Sequence, residues 1–459
     1  MRHVALMLTV AAPSAILLPA AARADCIADP PGSTTFLCLG LDPVTGDPDP
    51  TPEGLSDTRD GLSIEVDFIL EDGPLIVDAL RIPGSGNTVS VPGAILAPLG
   101  TAIAGGPDLT VTLGTVPDAS GGGGSAFIEA GNGIDVGAAP GLAVDLVGGA
   151  DIDVRGTAIR GGDGSSVEGD NLIATGNYRA IELGDDSSVV FSVDGSDAVL
   201  VDISSGGGSA VRLGANSEFA IGSGGSVIGR TSDDPLPGTG VELGSGRFFS
   251  ESGVAGRGAG GVGLRITGTS GTTTIDNGFD GVLVGDAWGL LVEGGDANTS
   301  VQEMVNFGLL GDASFGGGDD SLRVSDSMAS TGLVDLGAGN DLLTLSRTLD
   351  GLNGFGLFDG GAGLDEVVFE GFALSDLLSV TEAAGVIEFG FDEGFGGPSL
   401  FFDLTNFESY AFDDADFTDM QFRAAYGLIT PAAIPVPAAG WLLAAGLGGL
   451  AWRGRRRRR

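Results

Sequence analysis

Between residues 25 and 430 apolar and polar positions alternate in runs of three to six residues, and the pattern is seldom held longer. Ser188 to Val193, Ala198 to Ile203 and Thr272 to Ile275 are such runs. Alternation at period two predicts β-strands. Gly, Asp, Asn or Ser bounds each run, which predicts corners where the backbone takes positive φ. No long helical period with caps occurs in this region; Leu374 to Val380 predicts one short helical turn at most.

One phrase recurs: a small residue, an apolar–polar–apolar triplet, then Gly. It reads Ala180-Ile181-Glu182-Leu183-Gly184, then Ala210-Val211-Arg212-Leu213-Gly214, then Gly240-Val241-Glu242-Leu243-Gly244. Looser copies begin at Gly133, Ala158, Gly263, Gly289 and Gly332. Short strands repeating at intervals that are mostly 22 to 30 residues predict an all-β protein built as a parallel β-helix, a solenoid in which each coil rests on the last. Unequal coil lengths are harmless there, because each rung touches only its neighbours. The competing architecture is a pair of β-sandwiches.

A solenoid needs covered ends, since its terminal strands are open pairing edges. The expected layout is a segment 1–24 that is removed, an N-terminal cap and irregular β region at 25–130, and β-helix repeats at 131–385. A C-terminal cap follows at 386–430, then a tail at 431–459 with one hydrophobic helix. Fifteen of the 23 Phe lie between Phe307 and Phe422, which suits an aromatic-packed terminal coil.

Composition narrows the function. The chain has 83 Gly in 459 residues, 62 acids, and 21 bases that are all Arg. Residues 25–430 hold all 62 acids against 13 Arg, a formal charge of −49. Such a body repels nucleic acid, whose binding needs clustered bases on phosphates. The only His is His3, so the chain after residue 24 has no imidazole for triad catalysis or zinc.

Both ends read as addresses. Residues 1–24 have the form of a secretory signal peptide, with Arg2, an apolar run from Val4 to Leu18, and an Ala22-Arg23-Ala24 cleavage site for signal peptidase. The alternative, an N-terminal anchor, has too short a run to span a bilayer. Cys26 and Cys38, twelve apart in an exported chain, are expected to form one disulfide. The alternative, a metal pair, has no further Cys or His to complete it. At the other end, Ile434-Pro435-Val436-Pro437-Ala438 precedes an apolar stretch from Ala439 to Trp452. Then come Arg453, Gly454, and Arg455, Arg456, Arg457, Arg458 and Arg459, which the positive-inside rule keeps in the cytoplasm.

This three-part tail resembles the VPLPA-type sorting signal, a relative of the PEP-CTERM signals handled by exosortases in Gram-negative bacteria. Ile434 and Val436 stand where the motif has Val and Leu. The resemblance implies transient inner-membrane retention, cleavage near the Pro motif by an exosortase-like enzyme, and display at or release from the cell surface. A plain single-pass anchor is the alternative. Leu404-Thr405-Asn406-Phe407-Glu408 resembles a phrase of bacterial surface β-helices, and the body resembles an autotransporter or adhesin passenger domain without its membrane barrel.

A further resemblance lies within the repeat. Gly360-Gly361-Ala362-Gly363-Leu364-Asp365-Glu366-Val367 fits the calcium nonapeptide of RTX proteins, and the segments ending at Asp341 and Asp320 each miss one Gly. The resemblance implies calcium held by Asp320, Asp341 and Asp365 together with carbonyls of Gly337, Gly339, Gly360, Gly361 and Gly363. The three Asp are 21 and 24 residues apart, within one coil length, so their corners are expected to stack along one edge as open turns. These copies are isolated, not in tandem, and ordinary Gly–Asp corners are the alternative.

Two functional classes remain: a non-enzymatic surface rod that meets polysaccharide or matrix, and a secreted β-helix polysaccharide hydrolase or lyase. Glycoside hydrolysis needs two carboxylates at a set separation. Adjacent acids such as Asp319/Asp320 or Asp413/Asp414 arise by chance in so acidic a chain.

Overall fold

The computed structural model describes residues 25–28, 34–39, 55–66, 68–70, 78–115, 125–191, 201–230, 238–269, 272–278, 281–293, 298–304, 309–324, 332–347, 356–392 and 400–428. The signal-like segment 1–24 and the sorting-like tail 431–459 lie outside them.

The described chain winds as a three-sided solenoid. One coil shows the plan: Ser166–Gly169, then Leu172–Gly176, then Arg179–Glu182, after which Ser188–Phe191 lies beside Ser166–Gly169 and starts the next coil. Each strand pairs in parallel with its counterpart one coil on, giving three files of strands. One file is a 17-stranded sheet in which only the first and last pairings are antiparallel. At about 4.8 Å per step its parallel part is on the order of 70 Å long. The other two files join where Ala94–Gly105, Ala126–Asp135 and Val282–Val292 turn a corner as continuous strands.

Alternation produces this packing. In Ala150–Val154 the side chains of Ala150, Ile152 and Val154 are buried, while Asp151 and Asp153 face outward. The recurring phrase forms one file, and the first apolar residues of its triplets stand in one column: Ile134, Ile159, Ile181, Val211, Val241, Leu264 and Leu290. Each of these seven side chains is fully buried. A column of branched side chains at strand spacing excludes water and gains about 1.5–3 kcal/mol per residue. Asp108, Asp186 and Asn216 take positive φ of 55°, 54° and 54° at corners, as expected of Asx residues.

The boundaries differ from those expected. Parallel stacking begins with Thr35–Leu39 on Ser63–Val66, so residue 131 falls inside the ladder, not at its start. Irregular loop lengths mask the early coils in the sequence. The N-terminal edge is closed by the antiparallel hairpin of Asp25–Ala28 and Thr35–Leu39, where Cys26 lies opposite Cys38 and is joined to it by a disulfide. In the chain-entropy model a loop of that size contributes about 3 kcal/mol.

The C-terminal cap begins before residue 386. After a 3₁₀ turn at Leu374–Asp376, Leu377–Ala383 and Val386–Phe391 form an antiparallel hairpin that lies against Leu400–Thr405. The helical turn expected over Leu374 to Val380 thus stops at Asp376. Asp376 Oδ2 accepts the Ala373 N–H, and strand pairing takes over from Leu377. A short helix, Asp419–Ala425, ends the described chain. Its capping box, Thr418 with Gln421, was present in the sequence as T-x-x-Q. Phe422 on this helix is buried against Phe389 and Tyr410, each with ring centroids 5.1 Å away. Among the described residues no helix is long and apolar enough to cross a membrane.

Candidate functional site

At the start of several strands of the 17-stranded file a polar residue is buried at a corner, among them Asn87, Ser165, Ser187, Ser217, Asp320, Asp341 and Asp365. Backbone N–H groups there need acceptors from the adjoining coil. Asn87 Oδ1 accepts the Leu62 N–H at 2.8 Å. Ser187 Oγ accepts from Ser165, and Ser217 Oγ from Ser187, at 3.2 and 3.1 Å. Toward the C-terminus the hydroxyls give way to carboxylates. Thr299 donates to Asp320 Oδ1. Asp320 donates to Asp341 Oδ1 at 2.8 Å, Asp341 to Asp365 Oδ1 at 2.9 Å, and Asp365 to Glu408 Oε2 at 2.8 Å.

The three Gly-rich corners therefore do stack. The strands after them run in register, Ser321 beside Leu342 beside Glu366. The corners are not open turns with exposed carboxylates, however. Asp320, Asp341 and Asp365 are 2%, 2% and 0% exposed, because the backbone of the preceding coil draws each side chain inward. Each Oδ2 is buried without a hydrogen bond, as is Thr299 Oγ1. Burial pushes the Asp320 carboxyl up to about 7, with the charges of Asp341 and Asp319 adding to it. Burial likewise lifts Asp341 to about 6, helped by Asp365 and Asp319. Asp365 is also raised, by burial first and then by Glu408 and Asp359.

Glycine is required beside this column. A Cβ at Gly363 would overlap the Gly339 carbonyl oxygen, and one at Gly339 would overlap that of Gly318. Gly337 and Gly361 are held equally close to Gly316 and Gly337. Gly360 is set apart: it faces Asn406, and its N–H goes to Thr405. Gly337 O accepts from Ala362 at 2.8 Å and keeps one lone pair.

The donors are all oxygen, which suits a hard cation such as calcium. Three orphaned carboxylate oxygens in a dry corner call for positive charge or protons. Among the described residues no three His, Cys, Asp or Glu side chains gather into a cage. The carboxylates stand in file, one per coil, so a cation would depend on Oδ2 atoms from successive coils and on backbone carbonyls.

The other acid pairs serve turns. Asp413 Oδ1 accepts from Gly371, Asp414 Oδ1 from Leu374, and Asp319 Oδ1 from Asn340. Glu408, Asn87 and the Ser column were missed in the sequence. Their signal was a small polar residue or acid directly before each alternating run. Comparison with known proteins finds no matching family model, no matching curated protein and no matching solved structure.

Proposed function

We propose that the chain is an exported β-solenoid of structural or adhesin-like character, displayed at the surface of a Gram-negative cell toward polysaccharide or matrix. Export uses segment 1–24. The tail at 431–459 retains the chain in the inner membrane until an exosortase-like enzyme cuts near Pro435–Ala438. The disulfide supports an oxidising compartment.

The observation that carries the non-enzymatic reading is where the most perturbed acids sit. Carboxyls raised to about 6 and 7 are the expected marks of an acid–base site. Here they are inside the stack, each bonded to the backbone of the adjoining coil. That arrangement serves cohesion between coils. Calcium would be held by Asp320, Asp341 and Asp365 with glycine carbonyls beside them, and when bound it would neutralise buried negative charge.

The test is location and activity together. Protease added to intact cells should remove the protein, and the purified protein should release no reducing sugar from neutral or uronic-acid polysaccharides. Protection from protease, or steady product release, would overturn the reading in favour of an internal protein or a hydrolase or lyase.

A further inference from the structure

The outward residue of the recurring triplet forms its own column. Asp135, Arg160, Glu182, Arg212, Glu242 and Arg265 succeed one another up the stack. The charges alternate at every step. Arg212 lies 3.5 Å from Glu182 and 3.1 Å from Glu242. Overall the chain has 62 acids to 21 bases, so this balanced column is a local exception.

Two residues further along each coil runs a glycine corner, including Gly162, Gly184 and Gly214. Their backbones bond coil to coil, Gly184 to Gly162 at 3.2 Å and Gly214 to Gly184 at 3.1 Å. A Cβ at Gly184 or Gly214 would overlap the carboxylate of Asp163 or Asp185 in the preceding coil. The floor is therefore bare backbone. Beyond it, Asp163 Oδ1 accepts from Asp185 at 3.0 Å, and Asp185 Oδ1 accepts from Ala215 at 2.7 Å. The result is a groove of about 490 Å³ along the stacking direction, reaching from Gly137 to Gly268. One wall carries Arg160, Glu182 and Arg212 in alternation, and the other carries the carboxylates of Asp163 and Asp185.

We propose that this groove binds an extended, uncharged sugar polymer, a proposal that rests on the surface-rod reading because such a rod meets polysaccharide. The coil spacing of about 4.8 Å is close to the advance of one pyranose in an extended chain, so successive sugars meet the column groups Arg160, Glu182 and Arg212 in turn over a floor of repeated backbone. A sugar hydroxyl both donates and accepts. Arg160 offers donors: its nearest carboxylate oxygen, on Glu182, is 3.7 Å away, too long for a hydrogen bond. Asp163 and Asp185 are exposed and offer acceptors. The wall charges nearly cancel, with Arg160 and Arg212 against Asp163, Glu182 and Asp185. A polyanion gains little there and is repelled by the rest of the body. Among the described residues the lining holds no aromatic ring, so hydrogen bonds to these groups supply the recognition.

Calorimetric titration of the oxidised protein with cellohexaose and mannohexaose, and with hexagalacturonate as the anionic control, tests this. At least one neutral hexasaccharide should bind and hexagalacturonate should not. Arg160→Ala with Arg212→Ala should weaken binding by about tenfold or more, as expected for lost charged hydrogen bonds. Ala138→Trp places an indole in the groove from an exposed position and should abolish binding. Both variants should keep the wild-type circular dichroism and melting temperature. No neutral binding, tighter hexagalacturonate binding, or unchanged affinity in both variants would overturn the groove assignment. Failure to bind by a protein that protease removes from intact cells would leave the surface reading standing. Cleavage of a bound neutral hexamer would overturn the non-enzymatic reading and leave the groove.

Discussion

At pH 8 the protein is expected to melt higher in millimolar calcium than in chelator at matched ionic strength, and Asp341→Asn should erase the difference. A cation that binds only the folded state stabilises by RT ln(1 + [L]/Kd), about 2.7 kcal/mol at a hundredfold excess over Kd. The buried carboxylates set the pH dependence. Folded Asp320 and Asp341 lie near 7 and 6, above the ordinary 3.8, so between about pH 4 and 7 the folded state holds more protons than the unfolded. The stability these groups contribute is fully present below about pH 4 and is lost as pH rises through 6 and 7. For the Asp320 carboxyl alone the loss is up to about 4 kcal/mol. In chelator the melting temperature should therefore fall from pH 4.5 to 8, and calcium should flatten that fall. Self-repulsion of an acidic body has the same sign, so the variant carries the discrimination. Asn keeps the acceptor for the Asp320 N–H and replaces an orphaned charged oxygen with a neutral amide. Asp341→Asn should thus melt above wild type at pH 8 in chelator. Calorimetric scans of both proteins at the two pH values check this. Equal wild-type melts with and without calcium would reduce these corners to turns.

Phe369→Ala is expected to cost about 3–5 kcal/mol, the range for removing a buried aromatic side chain. Phe369 is fully buried. Its ring lies 4.9 Å from Phe412, 5.0 Å from Phe391 and 5.1 Å from Phe389. These rings come from the last coil and from the hairpin that covers it, so truncation opens a cavity where cap meets stack. An uncovered end is an unpaired strand edge. The variant should lose the hairpin to limited proteolysis before the body and should aggregate on heating. Phe219→Ala, mid-stack with a stacked partner in Phe248 at 5.4 Å, leaves the ends closed and should unfold without early loss of the hairpin. Urea melts followed by proteolysis distinguish the two.

The solenoid was legible because its physics is periodic. Ile181, Val211 and Val241 recur in the same local phrase since each must fill the same place in a column. The close of the stack was not legible. Asp365 donates to Glu408, 43 residues away, and the intervening hairpin runs antiparallel, so no interval in the sequence marks the return. The corner carboxylates were legible as a stacked set but not as buried ones. An Asp before a strand reads as a turn residue, and only its place in the same column as Ser187 and Ser217 shows that it faces inward. The alternating charges from Asp135 to Arg265 are 22 to 30 residues apart, so they form a pattern only once the register is known.

Export and trimming at both ends are read from the intact mass of the protein recovered from the cell surface. The expected species begins at Asp25, carries the Cys26–Cys38 disulfide, and lacks most or all of the sequence after Pro437. A surface species that retains Arg455 to Arg459 would rule out cleavage near the Pro motif and leave a simple membrane anchor.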